Sequence, residues 1–195
     1  MYPEELNCPT APERPAAEQL AIAICHAAST ELAESLHMVR HCLNQLPDDQ
    51  LWQRDRPQIN SIGNLVLHLQ GNLRQWIIAG LGAAPDTRQR AEEFAENGPI
   101  PGSELLTVLQ ACVDDARAVL VRISPDELLR VRLIQSFSMT GIAAILHAVP
   151  HFRGHTQEII RVTRQFLGSG YKVAWSPRDQ QIGRAYALPR EGSTA

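Results

Sequence analysis

Lysine is almost missing from this 195-residue chain: Lys172 stands alone, and arginine supplies the rest of the 18 basic side chains. Aromatics are sparse at 5%, and no apolar run approaches the roughly 18 residues that a membrane span needs. No basic run exists, and the formal charge is −3. A general nucleic-acid binder, which displaces counterions with clustered cations, is therefore not expected. The first residues, Met1-Tyr2-Pro3-Glu4-Glu5, are acidic and lack the apolar centre of a secretory signal. None of Cys8, Cys25, Cys42 and Cys112 falls in C-x-x-C spacing, so zinc-ribbon and thioredoxin-like motifs are excluded. Cys25 and Cys42 share one predicted helix about 25 Å apart, too far to bridge. Four reduced thiols in a soluble, cytoplasmic protein are the expectation. What the chain does have is histidine, seven in all.

Four segments carry apolar residues at threes and fours, the spacing of one helix face. The first runs from Ala16 to about Leu46, with Leu20, Ile24, Ala28, Leu32, Leu36, Val39, Leu43 and Leu46 on its stripe, and Pro47-Asp48-Asp49 ends it. The second spans about Ser61–Leu81, with Asn60 or Ser61 as N-cap. After a polar link at 82–101, the third runs from about Ser103, its candidate cap, to Ile123. Ser124-Pro125-Asp126-Glu127 reads as a short helical turn. The fourth spans about Thr140–Leu167 and closes at Gly168-Ser169-Gly170. No strand alternation is visible. The pattern predicts one all-α domain over 1–195, a four-helix bundle with its helical core at about 16–170. The link between helices two and three is long enough for a crossover. Residues 1–15, with four prolines, and 171–195 read as an extended and an irregular tail.

The histidines divide by helix. His26, His37 and His41 lie on helix one, opposite its apolar stripe, and read as solvent-facing. Helix four carries His147, His151 and His155 at successive i, i+4 steps. From the centre of the stripe, His155 lies about 80° away, His151 about 120° and His147 about 160°. His151 and His155 are thus the inward pair, on adjacent turns close enough to share an ion. Pro150 between them and His147 predicts a kink. The remaining histidine, His68 on helix two, is the best third ligand. It shares a polar seam with Asn64, Asn72 and Gln75, which needs hydrogen-bond partners if it is buried. Hydrogen-bonded surface histidines are the competing reading, and spacing alone leaves both open.

Two stretches resemble motifs of the DinB-like superfamily of small bacterial four-helix proteins. They are Ser61-Ile62-Gly63-Asn64-Leu65-Val66-Leu67-His68-Leu69-Gln70-Gly71-Asn72-Leu73-Arg74-Gln75-Trp76-Ile77 and His151-Phe152-Arg153-Gly154-His155-Thr156-Gln157-Glu158-Ile159-Ile160. The resemblance covers roughly residues 16–170. It implies a bundle with a crossover between helices two and three, and a metal held by His68, His151 and His155. Many members follow the last ligand with x-Gly-Gln-Ile, where this chain has Thr156-Gln157-Glu158-Ile159. Glu158 either orients a ligand imidazole or is solvated, and His147 and Asn64 are further candidates for the surroundings of the site.

Three imidazoles leave a position open for water or substrate, as catalytic sites do. The function expected is that of a metal-dependent enzyme, thiol S-transferase-like or hydrolase-like, using zinc, nickel or iron on a small-molecule substrate. A low-molecular-weight thiol is a candidate cofactor. The alternative is a non-catalytic metal-binding or stress-response bundle. Neither nucleic acid nor membrane is an expected partner, and the bundle offers faces for a homodimer.

Overall fold

The structure is a computed structural model that describes residues 14–174. The expectations for the proline-rich N-terminal tail up to residue 13, for Cys8 and for residues 175–195 lie outside the described residues. Four long helices, α1 (Ala16–Leu43), α3 (Ile62–Leu73), α5 (Gly102–Leu120) and α7 (Gly141–Leu167), form the bundle. Short helices α2 (Asp48–Leu51), α4 (Arg90–Ala95) and α6 (Pro125–Leu129) sit in the connections. α1 and α3 each pack against both α5 and α7, so they lie across the bundle from one another. The long crossover at 82–101 joins α3 to α5. No helix of the described residues is long and apolar enough to cross a membrane.

The buried face of α1 is Ala21, Cys25, Ala28, Leu32, Leu36, Val39 and Leu43. Leu20, expected on the stripe, is instead 61% exposed. Small side chains let the N-terminal half of α1 approach its neighbours, and hydropathy does not flag them; there the buried stripe is displaced by one position, to Ala21 and Cys25, while Ala28, Leu32, Leu36, Val39 and Leu43 are buried as expected. α1 also stops at Leu43, ahead of Leu46, and Pro47 caps a new helix, α2. Asp48 and Asp49 suit its N-terminus because carboxylates there face the positive end of the helix dipole. Asp48 Oδ1 also accepts the Gly102 N–H at 2.8 Å. α5 therefore starts one residue earlier than expected, with Pro101 at the N-cap position and Ser103 inside its first turn.

Ser61 caps α3: its hydroxyl accepts from Asn64 N, and Asn64 Oδ1 accepts from Ser61 N at 3.1 Å. The helix then widens into a π-helical stretch, Arg74–Ala79, that carries Trp76 and Ile77 into the core. Ser124 caps α6 with Pro125 in its first turn, and Thr140 caps α7. α7 is one continuous helix with Pro150 inside it.

A hairpin corrects the expectation of no strands: β1 (Val131–Ile134) pairs antiparallel with β2 (Phe137–Thr140). Its two-residue turn, Gln135-Ser136, has φ of 51° and 68°. That is the backbone of a tight hairpin turn normally built from Asn and Gly, so the sequence carries no turn signal. Ile134 is buried and seats the hairpin on the bundle, where a Cβ on Gly80 would lie 2.6 Å from its Cδ1.

The shifted face of α1 is testable by urea denaturation. Leu32→Ala, at a fully buried position, is expected to cost about 3 kcal/mol. Leu20→Ala should stay within about 0.5 kcal/mol of the parent.

Candidate metal centre

α3 and α7 face each other, so His68 on one and His151 and His155 on the other converge. Each offers a ring nitrogen, and these atoms all lie within 4.8 Å of one another. His68 Nε2 and His151 Nε2 are 2.9 Å apart. The His155 ring stands edge-on to both, with centroids 5.1 Å from His68 and 4.6 Å from His151. His68 is buried, whereas His151 and His155 are partly exposed.

Carboxylates set two of the tautomers. His68 Nδ1 lies 2.9 Å from Glu93 Oε2, and His155 Nδ1 lies 2.9 Å from Glu158 Oε2. An ionised carboxylate only accepts, so each Nδ1 carries the proton and each Nε2 keeps a lone pair for the centre. His151 Nε2 then donates to the bare His68 Nε2. Arg88 Nη2, 3.1 Å from His68 Nδ1, is a neighbour of that atom and not its donor, since Nδ1 is already protonated.

Glu93 and Arg88 come from the crossover, the segment expected to be only a polar link. Arg88 grips the Glu93 carboxylate with both Nε (2.7 Å to Oε1) and Nη2 (2.9 Å to Oε2). Its Nη1 donates to Gln75 Oε1 at 2.9 Å. The side chains of Arg88, Glu93 and His68 are 3%, 10% and 6% exposed, so this network sits beneath the surface. The crossover thereby supplies partners for Asn64 and Gln75 of the polar seam. Asn64 Nδ2 donates to the carbonyls of Glu93 and Glu96, and Gln75 Nε2 to Asp86. The Asn64 amide bonds to the crossover's carbonyls and not to the imidazoles; it fixes the backbone that carries Glu93. Phe94, from the same turn, packs on the His68 ring at 4.8 Å between centroids.

His147 stays outside the group of three. Its ring lies on Trp76, with centroids 3.9 Å apart, and is nearly parallel to His151 at 5.9 Å. On α1, His37 is exposed, but His26 and His41 are half-buried, which corrects their reading as solvent-facing. His41 Nε2 lies 2.6 Å from the carbonyl of Lys172, because the chain after α7 folds back onto α1 and covers it.

With the geometry in place, similarity to known proteins places the chain. Residues 20–180 match DUF1572, a family described as proteins of unknown function. The chain belongs to this family. This DUF1572 protein is similar in fold to a DinB-like protein from Bacillus cereus ATCC 10987, whose crystal structure it matches with a TM-score of 0.55. The two are 15% identical over 73% of this chain and 90% of that one, a likeness that shows the fold. No curated protein matches the sequence.

The surroundings shift the acid–base behaviour of the DUF1572 site. Burial first, and then electrostatic repulsion from His155, His68, His147 and Arg88, push His151 down to about 4. It is therefore neutral at physiological pH, the form a ligand needs. Burial raises Glu93, but hydrogen bonds from Arg88 and His68 and their charges outweigh it, and its carboxyl is held below the usual range.

Both shifts act in the same direction on stability. As pH falls from about 6.5 toward about 4, the unfolded chain protonates His151 while the metal-free folded protein does not. Further down, the unfolded chain also takes up the Glu93 proton first. The Tm of the metal-free protein is expected to fall steadily as pH drops through this window, and His151→Gln should flatten its upper part. A Tm that stays level from pH 7 to pH 4.5 contradicts the His151 assignment.

Gly71 has its own consequence. A Cβ there would run into Glu93 Oε1 and lie 2.8 Å from the carboxyl carbon. Gly71→Ala should push Glu93 off His68 and weaken metal affinity roughly 10- to 100-fold, with the fold retained by circular dichroism.

Proposed function

We propose that His68, His151 and His155 hold one divalent transition-metal ion, and that this centre is catalytic. The observation that carries the proposal is the pair of carboxylates, Glu93 and Glu158, each on the Nδ1 of an imidazole whose Nε2 is thereby left unprotonated. Surface histidines gathered by chance have no need of such fixed tautomers. The donor set fits the ion: three nitrogen ligands within reach of one point, two of them oriented from behind. Neutral imidazoles suit zinc, nickel or iron.

A bound ion would supply Lewis acidity at a position open to substrate, lowering the pKa of a low-molecular-weight thiol or of water. The residues divide that work. His68 closes the buried side, and Glu93 with Arg88 keeps its ring from rotating. His151 and His155 stand at the partly exposed side, where a small-molecule substrate has access. Phe94 covers part of the His68 ring and excludes water from that side. With a position open to substrate, the centre reads as that of an S-transferase-like or hydrolase-like enzyme. Cys25, Cys42 and Cys112 are buried free thiols, which agrees with our placing the protein in the cytoplasm.

Metal analysis of purified protein tests the first step. The parent is expected to hold about one ion per chain, and His68→Ala and His155→Ala to lose most of it. Unchanged metal in both variants overturns the assignment. Turnover of metal-loaded protein with a panel of thiols and electrophiles, against hydrolysis without thiol, tests the second. Bound metal with no turnover in either arm would assign the bundle to metal binding alone.

A further inference from the structure

We propose that His147 and the Nδ1 edge of His151 form a carboxylate-binding subsite beside the metal centre. The substrate is then a small molecule that carries a carboxylate apart from its reacting group. This rests on the metal reading above and adds the chemical class of the substrate to it. The imidazoles of the centre differ in what stands behind them. Nδ1 of His68 is taken by Glu93, and Nδ1 of His155 by Glu158. Among the described residues His151 has no such carboxylate, and its one hydrogen bond runs through Nε2 to His68. With an ion on that nitrogen, the proton of a neutral His151 sits on Nδ1. Metal-bound imidazoles ordinarily donate this proton to a carboxylate, a carbonyl or water, and here the chain supplies neither of the first two.

His147 repeats the pattern one turn earlier on α7. It is exposed, and among the described residues neither of its ring nitrogens has a hydrogen-bond partner. Its ring is nonetheless held in place, lying on buried Trp76 with centroids 3.9 Å apart and planes 31° from parallel. The His151 ring follows at 5.9 Å, within 13° of parallel, so both rings lie within reach of one carboxylate. Trp76 adds to the surplus of donors, because its buried Nε1 has no hydrogen-bond partner. It stands on the π-helical stretch, a distortion often kept at functional sites. Three N–H groups without a protein acceptor thus gather at one corner of the centre, where a bound acceptor completes them.

Charge selects an anion as that acceptor. The carboxylates around the centre are already engaged: Glu93 by Arg88 and His68, Glu158 by His155, and Glu31 by Arg153. A divalent ion added to Glu93, Glu158 and Arg88 leaves the centre net positive. Hydrogen bonds to an ionised acceptor are also the stronger ones, and a carboxylate has two oxygens for the two imidazoles.

Isothermal titration calorimetry of the zinc-loaded full chain with succinate and with butyrate tests this. Either probe can place one carboxylate on the ion, and only succinate has a second for the imidazoles. Succinate is expected to bind about tenfold more tightly or better. His147→Phe keeps a ring on Trp76 but removes the donor, and should erase most of that difference with zinc content unchanged. His147→Gln, which keeps an N–H, should retain part of it. Equal affinities in the parent, or a difference that survives His147→Phe, overturn the subsite while leaving the metal centre standing. A parent that takes up no zinc overturns the metal reading and the subsite with it, and metal analysis tells the two failures apart.

Discussion

The bond between Glu93 and His68 Nδ1 is the contact on which the site's order depends. It decides which nitrogen of His68 carries the proton, and so which one points at His151 and His155. A lone carboxylate at 10% exposure would meet a large desolvation penalty. Arg88 offsets it by a two-point grip, and each of its three guanidinium nitrogens finds an acceptor. Removing either partner would leave a buried charge uncompensated, which is why the pair, and not the glutamate alone, is the unit that matters.

That requirement accounts for much of the crossover's construction. Arg54 Nη2 donates to the carbonyls of Phe94 and Glu96, Asn64 to those of Glu93 and Glu96, and Trp52 Nε1 to that of Ile100. These bonds hold α4 against α3 although α4 itself buries no residue. Gly71 leaves the space in which the glutamate and arginine lie. A six-residue helix that buries no residue is thus held largely by polar side chains from the bundle, and in return it brings Glu93 to the polar seam of α3.

Legibility followed periodicity. His151 and His155 were readable as an inward pair because a helix fixes the angle between positions four apart. His68 was readable as their partner only by elimination and by resemblance, since nothing in its own helix points to α7. Glu158 stood in view, three residues from His155 on the same surface. Glu93 and Arg88 did not, lying 25 and 20 residues from His68 in a stretch whose composition says only loop. The hairpin was missed for a local reason: a Gln-Ser turn in left-handed geometry carries no glycine or asparagine signal.

By itself the sequence determined the helices, their apolar faces and the histidine pair, because those follow from spacing along one rigid element. It also narrowed the cap of α3 to Asn60 or Ser61 and assigned that of α6 to Ser124, which involve neighbours in the chain. Only the tertiary structure decided how the crossover lies on α3, which carboxylate reaches which imidazole, and that Ala21 is buried where Leu20 is not. Those outcomes depend on distances between segments far apart in sequence, and no periodicity encodes them. The surplus of histidine thus named the chemistry, while packing between α3, α7 and the crossover set its geometry.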